Sequence, residues 1–124
     1  MRPHFRFEDL EVWQLARALA VKLHKLADGL DKRRFYRYAE QLRAAGLSLT
    51  NNIAEGSGNT HSQEFKQFLN IARRSLFGDT SMLMVFEKPG LVSSLEMDEL
   101  LTDCDMLSRK ITNFSRSLTK IARS

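Results

Sequence analysis

One cysteine in 124 residues, Cys104, excludes an internal disulfide, and a lone thiol offers too few ligands for a structural zinc site. No apolar run approaches the roughly 20 residues needed to cross a bilayer. The opening MRPHFRFEDLEVW lacks the unbroken apolar core of a secretion signal, so the sequence predicts a cytoplasmic chain without membrane contact. None of His4, His24 and His61 stands three residues after a glutamate, so the Glu-x-x-His spacing of di-iron bundles is missing. GSGNT at 56–60 has neither the length nor the lysine of a phosphate-binding loop, and no hydroxyl sits in a glycine-flanked elbow. Cys104 itself falls in the middle of an apolar seam. These gaps predict no enzyme, no metal and no cofactor.

What is present is ordinary globular composition, 43% hydrophobic and 27% charged, in a chain of one-domain length. A domain of this size buries roughly two thirds of its unfolded surface, enough for its own core over residues 1–124. Apolar residues recur at steps of three and four in four stretches. The first, about 8–27, carries Trp13, Ala16, Ala20, Leu23 and Ala27, with Asp28-Gly29 as its stop. The second, 32–55, has Asp31 as its N-cap and ends at Gly56 and Gly58. Thr60 and Gln63 have capping-box spacing for the third, 61–87, which Pro89 ends. Ser93 and Glu96 have the same spacing for the fourth, 94–122, whose seam runs Met97, Leu100, Cys104, Leu107, Ile111, Phe114, Leu118 and Ile121. No strand pattern competes. The expected fold is all-α, an antiparallel up-down-up-down four-helix bundle.

Two groups of polar residues stand out. QLRAAGLSLTNNIAEG at 41–56 mixes Ala44, Ala45 and Gly46, small enough for a close helix neighbour, with amides and a carboxylate beside the apolar face. Asn51, Asn52 and Glu55, with Arg43 and with Arg73 and Asp79 of the third helix, are expected to form an internal polar network. Such a network fixes register and partner, or lines a ligand pocket at the bundle's end. DKRRFYRY at 31–38 interleaves Lys32, Arg33, Arg34 and Arg37 with aromatic rings. Phe35 and Tyr38 fit the core face and leave Tyr36 free to stack on an unpaired base while the cations hold phosphate. Arg74 beside Arg73, and Arg109, Lys110, Arg116, Lys120 and Arg123, add further patches to a chain of net charge +4.

With these residues in view the chain resembles the four-helix-bundle proteins first recognised as products of intervening sequences in bacterial 23S ribosomal RNA genes. FEDLEVWQLA at 7–16, QLRAAGLSLTNNIAEG at 41–56 and SQEFKQFLNIARRSL at 62–76 carry the likeness. Thr50 stands where proline is common in the family, Arg74-Ser75 where Gly-Ser is usual, and Asp79 where glutamate is usual. The resemblance implies a cytosolic protein without known enzymatic activity that assembles into rings of five. The chain also looks like the accessory variability determinant protein of diversity-generating retroelements, a basic pentameric bundle. That likeness implies RNA or DNA as a partner, together with a nucleic-acid-processing protein. The alternative is a structural adaptor that recruits a protein without binding nucleic acid.

Overall fold

The computed structural model describes residues 1–123, with side chains described as far as Thr119. The expected seam residue Ile121 and the cations Lys120 and Arg123 therefore lie outside the described side chains. A short 3-10 turn at Arg6–Asp9 precedes four helices: α1 Glu11–Lys32, α2 Tyr36–Ser57, α3 Ser62–Glu87 and α4 Ser94–Arg123. Contacts that climb one helix descend the next. Asp28 of α1 reaches Arg43 of α2, whereas Ala20, earlier in α1, lies against the later Gly46. Tyr38 meets Phe86 and Gly56 meets Phe68 across α2 and α3, and Lys22 meets Asp103 while Glu11 meets Lys110 across α1 and α4. The result is an antiparallel four-helix bundle around one core that includes Leu23, Leu49, Leu69, Leu83, Met97 and Leu107. Among the described residues no helix is long and apolar enough to cross a membrane.

The α4 seam is buried from Met97 through Ile111 to Leu118, with Phe114 half-buried against the Phe65 ring. Its capping box is formed. The Ser93 amide donates to the Glu96 carboxylate at 3.2 Å, and the Glu96 amide donates to Ser93 Oγ at 3.1 Å. The expected box at Thr60 is not formed, because α3 starts after His61 with no side-chain cap.

The larger correction concerns the end of α1. Asp28 and Gly29 do not stop it; the helix continues one turn because Leu30 is buried there and Asp31 binds Arg43 at 2.7 Å. Closure comes from the Phe35 amide donating to the Leu30 carbonyl and the Arg34 amide to the Asp31 carbonyl, both at 2.9 Å. This is the paired bond pattern that needs a left-handed residue, and Arg34 supplies it with φ 65°. At the same end of the bundle α3 closes in the same way, with Leu91 bonded to Phe86, Gly90 bonded to Glu87, and Gly90 at φ 81°. Asp31 is consequently no N-cap, and α1 begins at Glu11 rather than Glu8, whose carboxylate instead accepts the Phe5 amide at 2.7 Å. α2 is continuous through Thr50.

A Cβ added at Gly46 would lie 2.9 Å from both Cα and Cβ of Ala20, so the bare Gly46 backbone of α2 lies against Ala20 of α1 with no room for a side chain. Gly29 has nothing within 4 Å. Replacing Gly46 by Ala should therefore lower stability by about 1–2 kcal/mol, overpacking outweighing the better helix propensity. Gly29→Ala should raise stability by up to about 1 kcal/mol. Urea titrations of both variants test the pair, and equal effects would contradict the close contact.

Candidate nucleic-acid interface

The α1–α2 turn collects five of the expected binding residues. Lys32 ends α1, Arg33 and Arg34 form the turn, and Tyr36 and Arg37 open α2. Phe35 anchors the turn by packing edge-on against Tyr38, with centroids 6.0 Å apart, and Tyr38 in turn rests edge-on against Phe86 at 5.0 Å. Tyr38 thus sits at the rim of the core rather than inside it. Tyr36 points outward and is 58% exposed. Arg33 is occupied, its guanidinium 5.1 Å from the Phe35 centroid and 3.4 Å from the Gly90 carbonyl. Lys32, Arg34 and Arg37 are exposed and make no ion pair among the described residues. Arg74 is elsewhere, on the outer face of α3, ~18 Å along that helix from Phe86.

The six expected members of an internal polar network are not brought together. Arg43 turns to α1, where it binds Asp28 at 2.6 Å and Asp31 at 2.7 Å and holds the Asp28 carboxyl below its ordinary range. Asn52 donates to the Ser48 carbonyl of its own helix at 2.8 Å, and Ser48 meets Ser75 of α3 at 3.3 Å. Asn51 and Glu55 are exposed, and Arg73 lies 5.3 Å from the Phe77 centroid. Asp79 is left alone: its Oδ2 is enclosed without a hydrogen-bond partner, and burial pushes its pKa up to about 7. The polar contact between α2 and α3 is the Ser48–Ser75 hydroxyl pair, not a charged network. Cys104 is buried, and the same desolvation raises its thiol pKa, which makes it a poor nucleophile.

Two surface grooves complete the picture. Between α1 and α2, Trp13, Val21, Leu47 and Ala54 line an apolar hollow of about 350 Å³, beside the Ala20–Gly46 contact. Between α3 and α4 lies a groove of about 220 Å³, with Leu69 and Ile111 in its lining beside Asn70, Arg73, Thr112, Ser115 and Arg116. Sequence reasoning reaches Arg73 and Arg116 separately but not their neighbours, which come together from helices some forty positions apart. The available signal is faint: Arg73 follows buried Ala72 and Thr112 follows buried Ile111, so each flanks its helix's apolar stripe. Two other members of the expected late basic patch are spent, Arg109 on Asp105 at 3.2 Å and Lys110 on Glu11 at 2.9 Å. Among the described residues, no three His, Cys, Asp or Glu side chains gather as a metal cluster.

The family model described as 23S rRNA-intervening sequence protein matches residues 8–113. No curated protein matches the chain.

Asp79 gives a pH dependence of defined sign. Its folded carboxyl holds a proton more tightly than an ordinary one, so stability falls as pH rises from 3.8 to about 7 and levels off above that. Asp79→Asn should therefore stabilise the bundle by about 1–2 kcal/mol at pH 8 and by much less at pH 5. Urea midpoints at the two pH values check this, and a gain independent of pH would contradict it.

Proposed function

The chain belongs to the 23S rRNA-intervening sequence protein family, and from the chemistry of its surface we propose that it is a non-enzymatic, self-associating cytoplasmic bundle that binds single-stranded nucleic acid at the α1–α2 turn. The observation that carries the reading is Arg34. A left-handed backbone costs a side-chain-bearing residue roughly 1 kcal/mol or more, and glycine avoids that cost. The neighbouring α3–α4 connection uses Gly90 at the equivalent position. An arginine kept in that conformation, exposed and without a carboxylate, between Lys32 and Arg37 and beside exposed Tyr36, is strain held where binding needs it. Phosphates meet the three cations, and an unpaired base meets the Tyr36 ring.

Self-association is supported by two unlike apolar surfaces on one chain. The α1–α2 hollow is concave. On the outside of α3, Ile71, Gly78 and Val85 recur at seven-residue spacing, Ile71 and Val85 being 45% and 64% exposed and Gly78 having nothing within 4 Å. A ridge with a glycine at its centre admits a close neighbour, and ridge into hollow is the head-to-tail contact that closes rings. Five copies of a +4 chain would concentrate about +20 on one assembly. Arg74 lies on this ridge, between Ile71 and Gly78.

Three phosphate contacts per subunit predict that affinity for a labelled single-stranded RNA falls at least roughly 20-fold between 50 and 200 mM salt. Arg34→Gly should weaken that binding while stabilising the fold by about 1 kcal/mol, read by fluorescence anisotropy and urea titration respectively. Binding indifferent to salt would favour the protein-adaptor reading instead. For assembly, light scattering should give a multiple of the 14.3 kDa subunit, and Val85→Glu should reduce it toward one subunit. A wild-type mass of one subunit would sink the ring.

A further inference from the structure

The α3–α4 groove has the chemistry of a second nucleic-acid contact. Arg73 and Arg116 stand on its two walls, with Asn70 and Ser115 between them as neutral hydrogen-bonding groups. No carboxylate lines it, and neither arginine makes an ion pair among the described residues. The nearest acid along α4, Asp105, is already held by Arg109 at 3.2 Å. Both arginines border the one groove, so an anion bound there is within the field of two guanidiniums, which favour phosphate as charge-assisted donors.

The second observation is one turn further along α3. Phe77 is 54% exposed although it is one of the larger apolar side chains; the Arg73 guanidinium lies over its ring at 5.3 Å, and the ring borders a second hollow with Met84, Leu101 and the Arg109-paired Asp105. Arg73 therefore ties the anion groove to an open aromatic ring. Phosphate donors and a stacking ring one helical turn apart match the spacing of a phosphate and its attached base in an extended strand. A slot between two packed helices has no room for a duplex. We propose that Arg73 and Arg116 bind a phosphate and Phe77 stacks the adjoining base of single-stranded nucleic acid. This second contact rests on the reading given above for the α1–α2 turn and extends it, because Arg73 lies ~20 Å along α3 from Phe86, which carries the aromatic anchor of that turn. One strand can then follow the outside of the bundle from the turn to the groove.

Anisotropy titrations with a labelled single-stranded oligoadenylate RNA at several salt concentrations test the assignment, with adenosine monophosphate as competitor and with thermal melting and light scattering to confirm intact protein. Arg73→Gln and Arg116→Gln should each weaken binding and flatten the salt slope by about 0.7. Phe77→Leu should weaken binding roughly 5- to 150-fold and leave the slope unchanged, the pattern of lost stacking rather than lost charge. Asn70→Asp, on the exposed lip, places a negative charge in the groove without touching either arginine. It should weaken binding as well, and it keeps the test decisive if Arg73→Gln disturbs α3. If all four intact variants bind as the wild type does while Arg34→Gly weakens binding, the groove assignment is overturned and the turn stands. No RNA binding by the wild type at low salt overturns both. Displacement of the RNA by adenosine monophosphate at equal concentration would make the groove a nucleotide pocket and overturn the strand assignment.

Discussion

The contact between Gly46 and Ala20 sets the geometry on which the rest of the molecule depends. With no Cβ on one side and a single methyl on the other, α1 and α2 approach until backbone meets side chain at van der Waals range. Nothing larger fits between them. The next residue on each helix, Val21 and Leu47, is consequently left outside, and with Trp13 these side chains form the walls of the apolar hollow. The tight seam inside and the sticky surface outside are two results of one spacing. It also brings Arg43 within reach of Asp28 and Asp31, so the last turn of α1 is tied to α2 by two charge-assisted bonds.

That tie explains why the basic segment is a turn. Held to Arg43 and anchored by buried Leu30, α1 runs past Gly29 and leaves only Arg33, Arg34 and Phe35 to reverse the chain. A reversal that short requires a left-handed residue, and the third helix meets the same requirement with Gly90. Arg33 bridges the two reversals through the Gly90 carbonyl. One end of the bundle is thus built from two similar closures, one permissive and one strained.

The sequence made the architecture legible wherever a pattern was local and repeated. The α4 seam, the Ser93–Glu96 box and the stop around Pro89 all depend on residues within a few positions of one another, and the structure keeps them. What was not legible depended on partners far away in the chain. Gly29 reads as a stop because glycine closes helices, yet burial of Leu30 and the Arg43 ion pairs outweigh a propensity difference of about 1 kcal/mol. Thr60 has the spacing of a cap but not its geometry, since α3 starts one residue too late. The polar residues of 41–56 stand out in the sequence, but the structure sends them to different partners. Helical phase places Asn52 on the α3 side while Arg43 faces α1, so the two cannot share one network.

The pattern of charge pairing sets apart the two surfaces proposed to bind. Along the flanks of the bundle, acids meet cations across or within helices: Glu99 and Asp103 with Lys22, Glu11 with Lys110, Asp105 with Arg109, and Asp28 and Asp31 with Arg43. Pairing of this kind offsets Glu99, Asp103 and Asp105 in the acidic half of α4, which would otherwise repel a polyanion. The excess of +4 is then expressed where cations stand without carboxylates, and two such places carry an exposed aromatic beside them, Tyr36 in the turn and Phe77 at the groove. A solvated basic face needs no ring, and an apolar interface needs no unpaired arginines. The two features together, repeated at both places, fit a ligand that alternates negative charge with flat apolar surface, which is the covalent repeat of an unpaired nucleic-acid strand.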